Sequence, residues 1–300
     1  MNALRTPDEA FADLPGWTWQ PHYETGLQGY DGLRMAMVDE GARDAPVALC
    51  LHGQPTWSYL YRKMIPAFLE AGTHIVAPDL FGFGRSDKPE EDATYTFTWH
   101  RESLARLIER LDLRRITLVC QDWGGLLGLT LPMDMPGRFE RLLVMNTALG
   151  TGDAPLTEGF LAWRAFNNRS PDMDVAGLLS RAVPGLTPQE AAAYAAPFPD
   201  VRYKAGVRRF PNLVPDNPDA DGAALSRRAR DFWRNDWAGQ SFMAIGMKDP
   251  VLGPPVMRRL RALIRDCPEP LELNDAGHFV QEAGAVIVQQ AMAAFGRSPA

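Results

Sequence analysis

The chain has 300 residues, of which 46% are hydrophobic and 23% charged, with 26 Gly and 25 Pro, and this composition excludes disordered, collagen-like and fibrous classes. Its 31 basic and 37 acidic residues leave a formal net charge of −6, which disfavours phosphate backbones and anionic lipid surfaces, so neither nucleic acid nor membrane is expected as a partner. Cys50, Cys120 and Cys267 lie far apart without a CxxC pair and signal neither a disulfide framework nor a zinc site, so a reducing compartment is the plain reading.

The N-terminal stretch carries Asp8, Glu9 and Asp13 and no apolar segment, so it does not read as a secretory signal. No run of about 18 apolar residues offers a bilayer span. A soluble, cytoplasmic protein is expected, most simply a monomer. Beyond the N-terminus, apolar runs punctuated by Gly, Pro and Asp recur at intervals that leave room for a helix, the pattern of a mostly parallel sheet. The predicted strands are Val47 to Leu51, His74 to Ala77, Ile116 to Val119, Leu142 to Met145, Phe242 to Met247 and Leu271 to Leu273. Between the first two, the spacing of Trp57, Leu60, Tyr61, Met64, Ile65, Phe68 and Leu69 predicts one amphipathic helix. Leu104, Leu107, Ile108 and Leu111 predict another between the next two.

After Asn146 the alternation stops, and the following residues are rich in Pro, Ala and aromatics until strand-like sequence resumes at Phe242. This predicts a helical cap over residues 150–225, inserted into an α/β core over residues 1–149 and 226–300. Phe160, Trp163, Phe166, Tyr194, Phe198, Tyr203 and Phe210 are expected to form a small core of the cap's own. Trp233 and Trp237, beside Phe232 in a predicted helix, are expected to anchor the cap to the core.

The most informative stretch is the strand from Ile116 that runs through Gln121 and Asp122 into Trp123-Gly124-Gly125. Aligned on the G-x-S-x-G turn, Cys120-Gln121-Asp122-Trp123-Gly124 puts Asp122 in the nucleophile's place with small residues two positions away on either side. An Asp after a strand is also a common helix N-cap. Two further features bear on the choice. Leu51-His52-Gly53-Gln54 follows an earlier strand, where a loop N–H can join the N–H after the nucleophile in holding developing negative charge, so Gln54 and Trp123 are the candidate backbone donors. Asp249 and His278 each follow a later strand, giving the chain order nucleophile, acid, histidine.

Taken with the segments 52–66, 77–89, 121–133, 194–200 and 275–282, these motifs resemble, over nearly the whole chain, the haloalkane dehalogenases typified by the dichloroethane-degrading enzyme. The resemblance implies an α/β-hydrolase fold, with a mostly parallel eight-stranded sheet flanked by helices and an inserted helical cap. It also implies Asp122 as nucleophile, Asp249 as the acid that orients the base, His278 as base and Trp123 as a halide-binding indole, with no cofactor and no metal.

The residue types fit that chemistry on their own terms. A serine attacking a saturated carbon would leave a stable ether, whereas Asp122 leaves an alkyl ester that water activated by His278 can cleave. The expected partners are a small halogenated alkane, water and the halide product. Halide leaves as an anion and needs only N–H donors, which an indole supplies. Some relatives carry a second indole where this chain has Ala182, so Trp163, the only Trp in the predicted cap, is the candidate second halide donor. The alternative is an epoxide hydrolase, in which Tyr194 or Tyr203 would protonate the opening alkoxide. His52 and the Gly82-Phe83-Gly84-Arg85-Ser86 turn, with Asp79 and Asp87, are expected to be structural.

Overall fold

Unbroken apolar runs build the middle of the sheet. In a computed structural model that describes residues 2–296, the strands of the main sheet are β1 (His22–Thr25), β2 (Arg34–Glu40), β3 (Val47–Leu51), β4 (His74–Pro78), β5 (Ile116–Cys120), β6 (Phe139–Met145), β7 (Gln240–Gly246) and β8 (Leu271–Leu273), while Ala3–Leu4 and Lys88–Pro89 pair in a small antiparallel sheet of their own. Met1 and residues 297–300, which the expected core segments include, lie outside the described residues. The main sheet has the order β8-β7-β6-β5-β3-β4-β2-β1. β2 pairs antiparallel with both of its neighbours, β1 and β4, and every other pairing in this sheet is parallel. Every residue of β3, β4 and β5 is buried, which is why these strands read as continuous apolar runs rather than as an alternation. The antiparallel edge strand β1, His-Tyr-Glu-Thr, carries no such signal and escapes sequence reading.

The helices are α1 (Ile65–Glu70), α2 (Phe97–Arg110), α3 (Asp122–Gly128), α4 (Glu158–Arg169), α5 (Val175–Ala182), α6 (Pro188–Ala195), α7 (Ala205–Arg209), α8 (Ala223–Asn235), α9 (Pro254–Leu263) and α10 (Gly284–Phe295). Among the described residues no helix is long and apolar enough to cross a membrane. The stretch from Trp57 to Leu69 is not the single helix its spacing predicts, because a 3-10 turn covers Ser58–Tyr61 and α1 begins only at Ile65. Pro66 is the reason: it has no N–H for the carbonyl four residues back and is tolerated only in a helix's first turn, where α1 places it. The 3-10 turn is buried at every residue.

Helices α4 to α8 lie between β6 and β7, and the boundary expected at 225/226 falls inside α8. Their aromatic residues do not form a core of their own. Tyr194 packs edge-on against Tyr59 at 5.1 Å, Phe198 against Phe83 at 6.2 Å, and Phe210 against Trp123 at 4.6 Å, so the insertion shares one continuous apolar cluster with the sheet layer. The two apolar surfaces are buried against each other instead of separately, which leaves Phe166 exposed. Polar ties reinforce the seam: Trp57 Nε1 donates to Ala193 O at 3.1 Å, and buried Arg62 bridges Glu190 and Glu282. Trp233 Nε1 donates to Leu129 O and Trp237 Nε1 to Ser241 Oγ, joining α8 to the loop after α3 and to β7.

Candidate active site

The turn from β5 into α3 holds Asp122 at φ +50°, a left-handed conformation that L residues rarely adopt and that lifts the side chain off the strand end. Close packing fixes the turn. A Cβ on Gly124 would lie 1.9 Å from Leu51 O, and one on Gly53 would lie 2.2 Å from Asp122 Oδ1. The first contact is with backbone, so no rotamer change relieves it. Gly124→Ala is expected to destabilise the fold by about 3 kcal/mol or more, read as a lowered urea midpoint; a midpoint equal to that of the native chain would remove the steric argument.

Asp122 Oδ1 accepts the Gln54 N–H at 2.9 Å, and Thr147 Oγ1 donates to Asp122 O at 2.7 Å. Burial raises the Asp122 pKa, opposed by His278 and by the N–H groups of Trp123 and Gln54. Of the two expected backbone donors, the Gln54 N–H is the one bonded to this carboxylate.

Asp249 and His278 come from the loops after β7 and β8. These loops are tied by Met247 N–H to Leu273 O and by Lys248 N–H to Ala276 O, at 3.1 and 2.9 Å. Asp249 Oδ2 lies 2.8 Å from His278 Nδ1, and His278 Nε2 lies 3.6 Å from Asp122 Oδ2. Burial of Asp249 is outweighed by His278, Asn146 and the Val251 N–H, which bring its pKa to about 2. Burial pulls His278 down while Asp249 and Asp122 pull it up, leaving it at about 9.

These side chains line a cavity of about 1050 Å³ together with Trp123, Trp163 and Ala182. Trp123 is 2% exposed, yet its indole N–H has no protein partner among the described residues and is not sealed off from the cavity. Trp163, on α4, likewise has an N–H without a protein partner among the described residues, in contrast to the bonded indoles of Trp57, Trp233 and Trp237. Ala182 ends α5 and offers the cavity no side-chain donor.

Tyr194 and Tyr203 line no part of this cavity, and the Tyr194 hydroxyl is spent on Glu282 Oε1 at 2.5 Å. An epoxide-opening acid at either position lacks access. His52 is structural, as expected: Nδ1–H donates to Gly53 O and Nε2 accepts the Leu80 N–H, both at 2.9 Å. Asp79 is spent on the Ser58 and Arg85 N–H groups, and Asp87 pairs with Arg5. Among the described residues no group of three His, Cys, Asp or Glu could hold a metal ion.

Sequence reasoning passed over two polar residues. Asn146, directly after β6, donates to Asp249 Oδ2 at 2.9 Å and to Gly246 O at 3.1 Å. Gln121 reaches His278. Their only signal is a polar residue set at the carboxyl end of a buried strand, where parallel sheets place their sites.

A family model described as the alpha/beta hydrolase fold matches residues 46–285. The chain is 44% identical over 286 residues to a haloalkane dehalogenase of Psychrobacter cryohalolentis, covering 94% of each. It is 41% identical over 288 residues to one of Mycobacterium marinum, covering 94% of this chain and 95% of that protein. Among solved structures, haloalkane dehalogenase DpaA from Paraglaciecola agarilytica, described as tetrameric, is 54% identical, with a TM-score of 0.97 over 99% of this chain and 100% of that one.

Proposed function

Because the chain belongs to the haloalkane dehalogenases of the α/β-hydrolase fold, and so is a hydrolase acting on carbon–halide bonds, we propose that it works through a covalent ester on Asp122. The observation that carries this reading is the single cavity that Asp122, His278, Trp123 and Trp163 line together. In the first step Asp122 Oδ2 attacks the halogen-bearing carbon, a C–O bond forms, and the C–X pair leaves as halide between the indoles of Trp123 and Trp163. Donors aimed at developing charge in a water-poor site act on the transition state more than on the neutral substrate.

In the second step His278 Nε2 takes a proton from water, whose oxygen adds to Asp122 Cγ. The resulting oxyanion is Oδ1, which the Gln54 N–H already faces at 2.9 Å, joined by that of Trp123. Collapse releases the alcohol, protonated through His278, and restores the carboxylate. Alkylation helps the base: an esterified Asp122 carries no charge, so His278 loses one of the two carboxylates that hold its pKa up. Asp249 remains and keeps Nδ1–H in place.

Residues 150–225 serve in this reading as a cap that roofs the cavity and contributes Trp163. The tetramer described for the 54% identical relative favours assembly of this chain over the expected monomer.

The deciding experiment is halide release from 1,2-dibromoethane, 1-bromobutane and 1-chlorobutane, with an epoxide assayed beside them for diol and Asp122→Ala as control. Halide that disappears in the variant supports the ester route; diol without halide overturns it. Trp163→Phe keeps an aromatic side chain and removes the N–H together with the five-membered ring. It is expected to slow the halide burst from 1-chlorobutane by about 10²-fold, the usual cost of one preorganised donor. An unchanged burst would move the second halide contact elsewhere.

A further inference from the structure

Gln121 stands immediately before Asp122 in extended backbone, with its side chain fully buried and outside the cavity lining. Its amide nitrogen lies 2.8 Å from His278 Nε2 and 3.1 Å from His278 O, and its Oε1 lies 3.4 Å from Gln281 Nε2. The partners fix which way the amide faces. A backbone carbonyl only accepts, so the group beside His278 O is the NH2, and its two hydrogens match two acceptors only when His278 Nε2 bears a lone pair.

We propose that Gln121 is a positioning residue that keeps His278 in its neutral, Nδ1-protonated form, its amide N–H occupying the Nε2 lone pair until the hydrolytic water takes its place. The inference rests on the reading of His278 as the base of the second step. The charged groups facing the imidazole are Asp249 from the loop after β7 and Asp122 from the turn before α3, and both favour the imidazolium. Lys248 and Asp275 pair with each other at the surface, and Glu282 pairs with Arg62 and Lys63. An N–H aimed at Nε2 acts in the opposite sense, because it bonds the bare nitrogen and clashes with a protonated one. Its second hydrogen, on His278 O, pins the loop that carries the base. Gln281 holds the far end of the amide, so the side chain is braced on both sides.

The test is the pH dependence of alkyl-enzyme decay, measured in single turnovers of 1-bromobutane. Below its midpoint this rate is set by the fraction of neutral His278. Gln121→Leu removes the donor, and the midpoint is expected to rise by about one pH unit, so that decay on the acid side slows about tenfold. The preceding halide burst should stay within about twofold of the native rate, since Asp122 attacks without the base. A midpoint unchanged within about 0.3 units, with any fall in rate uniform across pH, would leave Gln121 a purely structural role. Should Gln121→Leu fail to fold, ¹⁵N NMR of the intact native protein decides. Nδ1 protonated and Nε2 bare but hydrogen-bonded above the midpoint supports the proposal, and Nε2 protonated in that range overturns it. Absence of the halide burst from native protein would instead strike at the ester mechanism itself.

Discussion

Asp122→Ala is expected to lower halide release by at least about 10⁴-fold on every haloalkane, the scale on which removing an attacking group costs a covalent hydrolase. The neighbouring carboxylate of Asp249 cannot substitute. Asp249 points its Oδ2 at His278 Nδ1 and accepts the Val251 and Leu252 N–H groups through Oδ1, so neither oxygen is free to attack carbon. The variant also carries a backbone cost, since alanine at φ +50° is strained by about 1–2 kcal/mol. Asp122→Asn separates the two effects. Asparagine tolerates the left-handed conformation and can still accept the Gln54 N–H, so it should fold with near-native stability and still form no ester. Halide release from Asp122→Asn at more than a hundredth of the native rate, with no conversion of Asn back to Asp by mass spectrometry, would assign the attack to another group.

What the sequence disclosed and what it hid have distinct physical origins. The central strands are legible because burial on both faces leaves only apolar residues, and the three ionisable residues stand out because each follows a strand of the parallel part of the sheet, which collects its sites at that edge. Gly124 and Gly53 were legible as small residues, but the contacts that demand them, with Leu51 O and with Asp122, are between segments far apart in the chain. Periodicity alone predicts a helix through Pro66, but the missing N–H of Pro66 lets α1 begin only at Ile65. Composition alone predicts a separate core for the aromatic residues after 150, because it does not distinguish aromatics that pack on one another from those that pack on the sheet layer, as Phe210 does on Trp123. Asn146 and Gln121 were passed over for a related reason. Their amides take meaning only from Asp249 and His278, which lie 103 and 157 positions further on.

Replacement of His278 should divide the reaction at its midpoint. In His278→Ala the first step needs nothing that the imidazole supplies, so one equivalent of halide should appear at close to the native rate. The second step loses its base, and turnover should fall by about 10³-fold or more, within the range that general base and positioning together supply. Intact-mass spectrometry after 1-bromobutane should then show the chain heavier by one butyl group, mapped by proteolysis to the peptide that contains Asp122. Folding is expected to survive, because Asp249 keeps the Asn146 amide and the Val251 and Leu252 N–H groups when its imidazole partner is gone. Native protein in ¹⁸O water provides the complementary reading. Attack at Asp122 Cγ leaves the water oxygen in the carboxylate, so a single turnover should label Asp122 and release unlabelled alcohol. Labelled alcohol in that first turnover, together with no adduct in His278→Ala, would mean that water attacks the substrate carbon directly. Asp122 would then be a base rather than a nucleophile, and its Oδ1, held by the Gln54 N–H, would never become an oxyanion.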